Sequence, residues 1–88
     1  MTKYAVTSTV YATVTINDQR VVERAMTPEW QSQFYTFADE DEVVEHFAFN
    51  AISNGIHDIR RLDGWADCDK TDVLIEIDYI DHMTERLS

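Results

Sequence analysis

Asp and Glu supply most of the side chains that could take part in catalysis or binding in this 88-residue chain, and most of them lie in its second half. Asp and Glu number 17 against 7 Lys and Arg, for a net charge of −10. Residues 1–38 are neutral overall, so all of the net charge belongs to residues 39–88. The acids form two clusters: first Asp39, Glu40, Asp41, Glu42 and Glu45, then Asp63, Asp67, Asp69, Asp72, Glu76, Asp78 and Asp81. Such a surface suits a basic protein or cations.

Glu76 and Asp78 are the most informative pair of these acids. On a strand, alternate residues share one face about 6.8 Å apart, so the two carboxylates repel each other unless a cation or a basic partner neutralises them. The simpler alternative is a solvated face, with the acids of the first cluster serving to start a helix. The sequence leaves both interpretations open.

A calcium loop is the first metal site to consider, because Asp recurs at alternate positions from Asp67 onward. The sixth position of such a loop requires Gly for a sharp turn, and Asp72 occupies it. The twelfth position holds Asp78 where the motif has Glu. The match is therefore incomplete, and we expect no calcium site.

The remaining candidates for metal or nucleophilic chemistry are three histidines and one cysteine. His46, His57 and His82 lack the spacing of zinc ligands. Cys68 lies between two Asp, which disfavour its thiolate. The chain also has no Gly-rich phosphate loop, nucleophile elbow or His-Glu-x-x-His motif. We therefore expect a non-catalytic protein with no catalytic residue, cofactor or metal.

Composition also bounds the surroundings of the chain. Nucleic acids and anionic membranes are polyanions, so the negative charge argues against direct binding to either. A single Cys excludes an intramolecular disulfide, and no basic stretch precedes an apolar block of signal-peptide type. No apolar run approaches the roughly 18 residues of a membrane span. We expect one cytoplasmic domain over residues 1–88.

The first element that could position these residues is a strand from Tyr4 to Ile16. Its even positions are mostly apolar and its odd positions mostly Thr, which is a period of two. Asn17-Asp18-Gln19 predicts a turn, after which residues 20–26 could return as a second strand of a hairpin. Residues 31–37 are ambiguous, since they have strand composition but follow a Thr-Pro-Glu sequence that could start a helical turn.

Residues 40–53 are predicted to form an amphipathic helix. Asp39 is a suitable N-cap, Glu42 follows three residues later as in a capping box, and Asn54-Gly55 provides a stop. The apolar side chains fall within one half of the helical wheel: Val43, Val44, Phe47, Ala48, Ala51 and Ile52. Phe49 lies among charged residues, where it could be an interface anchor or could pack under a neighbouring segment. Trp30 and Trp65 are predicted to belong to the core.

Two more strands are predicted near the end of the chain. Residues 58–62 could begin one, and the second covers Val73 to Tyr79, where Val73, Ile75, Ile77 and Tyr79 alternate with an acidic face. The polar tail from Asp81 to Ser88 is expected to fray. The elements together predict an α+β domain, with a small antiparallel sheet of three to five strands and one amphipathic helix packed across one face.

In size, acidity and lack of catalytic motifs, the chain resembles the small acidic inhibitors that phages make against host defence. These are the anti-restriction and anti-CRISPR proteins, several of which mimic nucleic acid. The residues on which the resemblance rests are Asp39, Glu40, Asp41, Glu42, Glu45, Asp67, Asp69, Asp72, Glu76, Asp78 and Asp81. It implies that carboxylates stand where phosphates stand and occupy the basic nucleic-acid-binding surface of a host protein, with Phe49 adding specificity.

A different class of function fits the same sequence. A small assembly protein could self-associate through a sheet edge or through the Phe49 face, while its acids only prevent misassembly. The length and Thr-rich face of the first strand favour this alternative, which leaves open a homodimer. An inhibitor should depend on Glu76 and Asp78, whereas an assembly protein should depend on Phe49 or a strand edge.

Overall fold

The two ends of the chain pair with each other as a long antiparallel ribbon. In this computed structural model, which describes all 88 residues, β1 is Tyr4–Ile16 and β2 is Val73–Arg86. The pairing runs from Ile16 opposite Val73 to Tyr4 opposite Arg86. The predicted strand from Tyr4 to Ile16 is therefore confirmed. It forms because alternating Val and Thr suit a strand with two unlike faces.

A helical head connects the strands at one end of the ribbon. It comprises α1 (Arg20–Glu23), a 3-10 turn (Arg24–Met26), α2 (Pro28–Gln33), α3 (Glu40–Asn54) and a second 3-10 turn (Ile59–Arg61). Hydrogen bonds from the Asn17 amide to the Asp72 carbonyl (2.8 Å) and from the Asn17 side chain to the Thr71 carbonyl (2.8 Å) close the head where it meets the ribbon.

One face of the ribbon, which we call the inner face, packs against the head only at its base. Helix α3 contacts both strands there, and Val14, Ile16 and Ile75 pack against the core beside buried Val73. Beyond this base the ribbon leaves the head. Residues 4–10 and 80–86, which we call the distal ribbon, are exposed apart from the half-buried Val10.

The projecting ribbon makes the molecule elongated. Its principal extents are 54 × 25 × 19 Å, and its radius of gyration is 16.5 Å. A compact chain of this length would have a radius of gyration of about 12 Å. The sequence predicted one ordinary layered domain, whereas the structure leaves about half of its only sheet without a covering layer.

Two tryptophans form the centre of the core, as predicted. Trp65 is fully buried, and its indole N–H donates to the Val21 carbonyl at 2.8 Å. Trp30 packs against it with ring centroids 4.8 Å apart and donates to the Gly64 carbonyl at 3.3 Å. Phe47 from α3 meets the Trp65 ring edge-on at 4.8 Å. Both indole donors are thus satisfied, which the burial of a tryptophan requires.

Helix α3 begins and ends almost as predicted. The Asp39 carboxylate accepts from the Glu42 amide at 3.0 Å, and Gly55 ends the helix in the left-handed region with φ 67°. The Glu42 carboxylate accepts from the Ala38 amide, one residue before the cap that a capping box would use. The predicted apolar arc is only partly buried, since Ile52 stays exposed.

The predicted sheet of three to five strands is wrong, because the sheet has two. Residues 20–26 are helical: Val21, Val22 and Ala25 are all buried, and a strand would have sent Val21 and Val22 to opposite faces. The predicted strand at residues 58–62 is instead a 3-10 turn, Ile59–Arg61, that Asp58 caps. The prediction of a single helix across one face is also too simple, since α1 and α2 share the head with α3.

The segment that the sequence left ambiguous, residues 31–37, contains the end of α2 and no strand. Thr27 and Pro28 start α2, where the Thr27 hydroxyl accepts from the Trp30 amide at 3.4 Å, and residues 34–37 form no strand.

The predicted fraying from Asp81 onward is wrong, because β2 continues to Arg86. Pairing with β1 supplies hydrogen bonds that the polar tail alone would not predict.

Substituting Gly64 should be far more destabilising than substituting Gly55. At Gly64, with φ 103°, an added Cβ would lie 2.8 Å from Trp30 Cε2 and 2.9 Å from Nε1, so G64A combines backbone strain with a core clash. We expect a loss of about 3 kcal/mol or more in the free energy of unfolding. G55A meets no atom within 4 Å and should cost only about 1 kcal/mol of left-handed strain. Urea unfolding checks both, and equal losses would contradict the close packing of Gly64 against the Trp30 ring.

Candidate functional site

The acids at the start of α3 serve mainly local structure. Asp39 caps the helix, Glu42 accepts from the Ala38 amide, and Glu40 accepts from the Gln19 side chain at 3.2 Å. Asp41 and Glu45 make no hydrogen bond or ion pair and are exposed. Most of this predicted cluster therefore has capping and head-packing roles, which was the simpler of the two interpretations.

The loop between the second 3-10 turn and β2 contains three of the predicted site residues: Asp67, Asp69 and Asp72. Arginines of the head partly neutralise these loop acids. Arg24 donates to the Asp67 carboxylate at 2.7 Å, and this hydrogen bond lowers the pKa of Asp67 below its ordinary value. Asp72 accepts from the Asp69 amide at 3.0 Å. These residues line a small cavity in which both Arg20 and Arg24 also lie. The loop is consequently a poor candidate for an uncompensated anionic site.

Cys68 and the histidines do not form a chemical site either. Cys68 is buried, and desolvation raises the pKa of its thiol. His46 lies among aromatic rings of the head, His57 near the Ile75 carbonyl and His82 on the ribbon. No three His, Cys, Asp or Glu side chains come together in a way that could hold a metal ion.

The ribbon acids form the one row of carboxylates that the head does not neutralise. A β-bulge after Ile77 shifts the alternation of β2, so Tyr79 pairs with Tyr11. Tyr79 therefore lies on the face opposite the core, which we call the outer face, and not with Ile77 as predicted. Four carboxylates share this outer face: Glu76, Asp78, Asp81 and Glu85.

The position of Asp78 supports this assignment of faces. The Thr13 hydroxyl donates to its carboxylate at 2.7 Å, and Thr13 is also the cross-strand partner of Glu76. No ion pair joins any of the four carboxylates to a basic side chain. Arg86 lies on the inner face by the register, so the outer face of the two strands contains no Lys or Arg.

A stacked tyrosine pair lies in the middle of the carboxylate row. The ring centroids of Tyr11 and Tyr79 are 4.4 Å apart, and both rings are exposed. Asp81 lies on one side of the pair along β2, and Glu76 and Asp78 lie on the other. Exposed tyrosines that are already held in place lose little entropy on binding and are common interface anchors.

The structure divides the predicted site residues among three places. Asp39, Glu40, Asp41, Glu42 and Glu45 lie at the start of α3, and Phe49 is exposed on the same helix. The remaining six lie elsewhere, three in the loop before β2 and three on the ribbon: Asp67, Asp69, Asp72, Glu76, Asp78 and Asp81.

Sequence reasoning missed Glu85 and both tyrosines as members of the ribbon surface. Glu85 was assigned to a frayed tail, and Tyr79 to the wrong face. A signal was present, since the acids change from even positions (Glu76, Asp78) to odd positions (Asp81, Glu85). Only a bulge can bring both sets onto one face, and bulges have no strong local sequence signature.

Comparison of the chain with protein-family models, with curated proteins and with solved structures finds no match. None of the α-helices has the length and apolar character needed to cross a lipid bilayer. The ribbon surface is therefore the feature of this chain that indicates a function.

Asp58 should make stability depend on pH in the acid range. Hydrogen bonds from the Arg60 side chain, and then from its amide, lower the pKa of Asp58 from 3.8 to about 2. A depressed pKa stabilises the fold above the unfolded value, and this stabilisation disappears as the pH falls from about 4 through about 2. We expect D58N to lower the free energy of unfolding at neutral pH and to match the parent near pH 2 in urea titrations.

The matched control is D63N, because Asp63 is exposed and makes no hydrogen bond or ion pair. It should leave the free energy of unfolding nearly unchanged at both pH values. A D58N loss of the same size at neutral pH and at pH 2 would show that the ion pair with Arg60 is not its source.

Proposed function

We propose that this chain is a small non-catalytic binding protein and that the outer face of its ribbon binds a basic protein surface. The observation that carries the proposal is the row of four carboxylates on a projecting strand, with no Lys or Arg of β1 or β2 on the same face and no ion pair to any of the four. Repulsion along such a row opposes folding, and a cationic partner would relieve it.

The dimensions of the row suit a groove. From Glu76 to Glu85 the strand rises about 30 Å, and its distal half stands clear of the head. A projecting ribbon can enter a cleft that a compact domain of the same size cannot. The whole outer face of the ribbon and its two edges are available to a partner.

The tyrosine pair would supply affinity that charge alone does not. Exposed ion pairs contribute little individually because water and salt screen them. Tyr11 and Tyr79 lie between the carboxylates, so a docked partner would bury both rings while its Lys or Arg side chains reach the acids on either side. An aromatic centre surrounded by charged residues is typical of protein interfaces.

We infer that the partner is a nucleic-acid-binding protein of the host, with the carboxylates in the places of phosphates. The class-level resemblance to acidic phage inhibitors supports this inference. Duplex DNA has one charge per about 1.7 Å of axis, whereas alternate residues of one strand lie about 6.8 Å apart. The row therefore suits a channel for a single strand or a short duplex segment better than a long duplex groove.

Neutralising the ribbon should abolish most of the binding. The test is the triple variant E76Q, D81N and E85Q. Each substitution removes one ion pair with the partner, which is worth up to about 1 kcal/mol. We therefore expect the affinity to fall tenfold to hundredfold. The measurement is capture of partners from a bacterial lysate on tagged parent protein, followed by titration of each recovered partner against parent and variant. Binding to the parent should weaken with salt, and DNA or RNA should compete with it.

The control triple D41N, E45Q and D63N changes the net charge by the same amount. Its three residues are exposed and make no hydrogen bond or ion pair, so the fold should not change. It should bind within about threefold of the parent if location on the ribbon matters more than total charge. Equal losses in the two triples, or binding that neither salt nor nucleic acid affects, would overturn the proposal.

A further inference from the structure

We propose that a second copy of this chain packs against the inner face of the distal ribbon, so that two ribbons stack face to face in a homodimer. This surface is opposite to the outer face, and the inference does not depend on what the outer face binds. Its basis is the combination of apolar exposure, charge distribution and surface area.

The inner face carries a stripe of apolar side chains that packs against the head at its base and is uncovered on the distal ribbon. From Val14 and Ile75, which pack on the head, the stripe continues to Ile77, Ile80 and Val6, whose exposures are 42%, 51% and 61%. A two-stranded ribbon with no cover is marginally stable at best in water. The strands of this one start far apart in the sequence, so no tight turn holds the distal half together.

The polar residues of the inner face are compatible with burial. Ser8 and His82 are cross-strand partners, and the Ser8 hydroxyl is 2.8 Å from His82 Nδ1. Since these two groups satisfy each other, covering them would not leave that pair of atoms without a hydrogen bond. Thr84 and Arg86 lie at the tip of the ribbon, where they can remain at the rim of an interface.

The distribution of charge identifies a second copy as the occupant. Each chain has a net charge of −10, so two copies repel each other over most of their surfaces. All four ribbon carboxylates are on the outer face, and the inner face has none. Two inner faces can therefore meet, about 10 Å apart as in packed sheets, while the carboxylates point away from each other. A basic partner would find no acid on the inner face.

The exposed area agrees with an interface of ordinary size. The chain exposes 6145 Å², against about 5,400 Å² for a compact monomer of this mass. The excess is about 700 Å², close to the roughly 800 Å² that each partner contributes to a standard interface. This surplus belongs to the whole projecting ribbon, and it is large enough to include one partner's share of a standard interface.

Lysine on the inner face should break the dimer. We expect the parent to sediment at twice the 10.3 kDa of one chain. I80K would bury one charge per copy in the interface, so the dissociation constant should rise at least about a hundredfold. V6K tests the same surface from β1. Sedimentation equilibrium across a wide concentration range measures all of these, and far-UV circular dichroism shows whether each variant is folded.

The matched control is M83K, on the outer face of the same strand. It has the same net charge as I80K, and Met83 is even more exposed. We expect its dissociation constant within about threefold of the parent, and the same for F49S on α3. A parent that stays monomeric at every concentration, a dimer that survives both I80K and V6K, or equal loss in M83K would overturn the proposal.

Discussion

The pairing of the first strand with the last is the constraint on which the rest of this structure depends. It joins segments that are far apart in the sequence, so its entropic cost must be met by contacts elsewhere. The head provides them, because Asn17 bonds across the junction to residues 71 and 72, and Val73 continues directly into the core. The strands contact the head only where they leave it, and beyond that point they contact only each other.

The head is stabilised by packing around two indoles rather than by a sheet. Trp65 hydrogen-bonds to α1 through the Val21 carbonyl and packs on Trp30 and on Phe47 of α3, so one side chain joins three helical elements. Gly64 is required beside it because the Trp30 ring occupies the space of a Cβ. The core is consequently small, and it covers only the base of the ribbon.

Charge on the ribbon is separated by face, and the separation depends on a single extra residue. Before the bulge, Glu76 lies on the outer face by simple alternation; after it, Asp81 and Glu85 lie there only because the phase has shifted. Without the bulge these two acids would lie on the apolar inner face. The same residue therefore extends the acidic surface along the ribbon and keeps the inner face free of carboxylates.

The amino-acid sequence by itself determined the elements with local signals. The alternation of β1, the Asp39 cap and the Gly55 stop act within a few residues, and each was predicted correctly. The Thr27-Pro28 helix start was left open between a helical turn and a strand, and the structure makes it a helix. Tertiary structure decided the rest: residues 20–26 became helical to bury both valines, and β2 reached Arg86 because β1 paired with it. It also determined which acids share a face, because register and bulges arise from contacts between distant segments, which no local pattern contains.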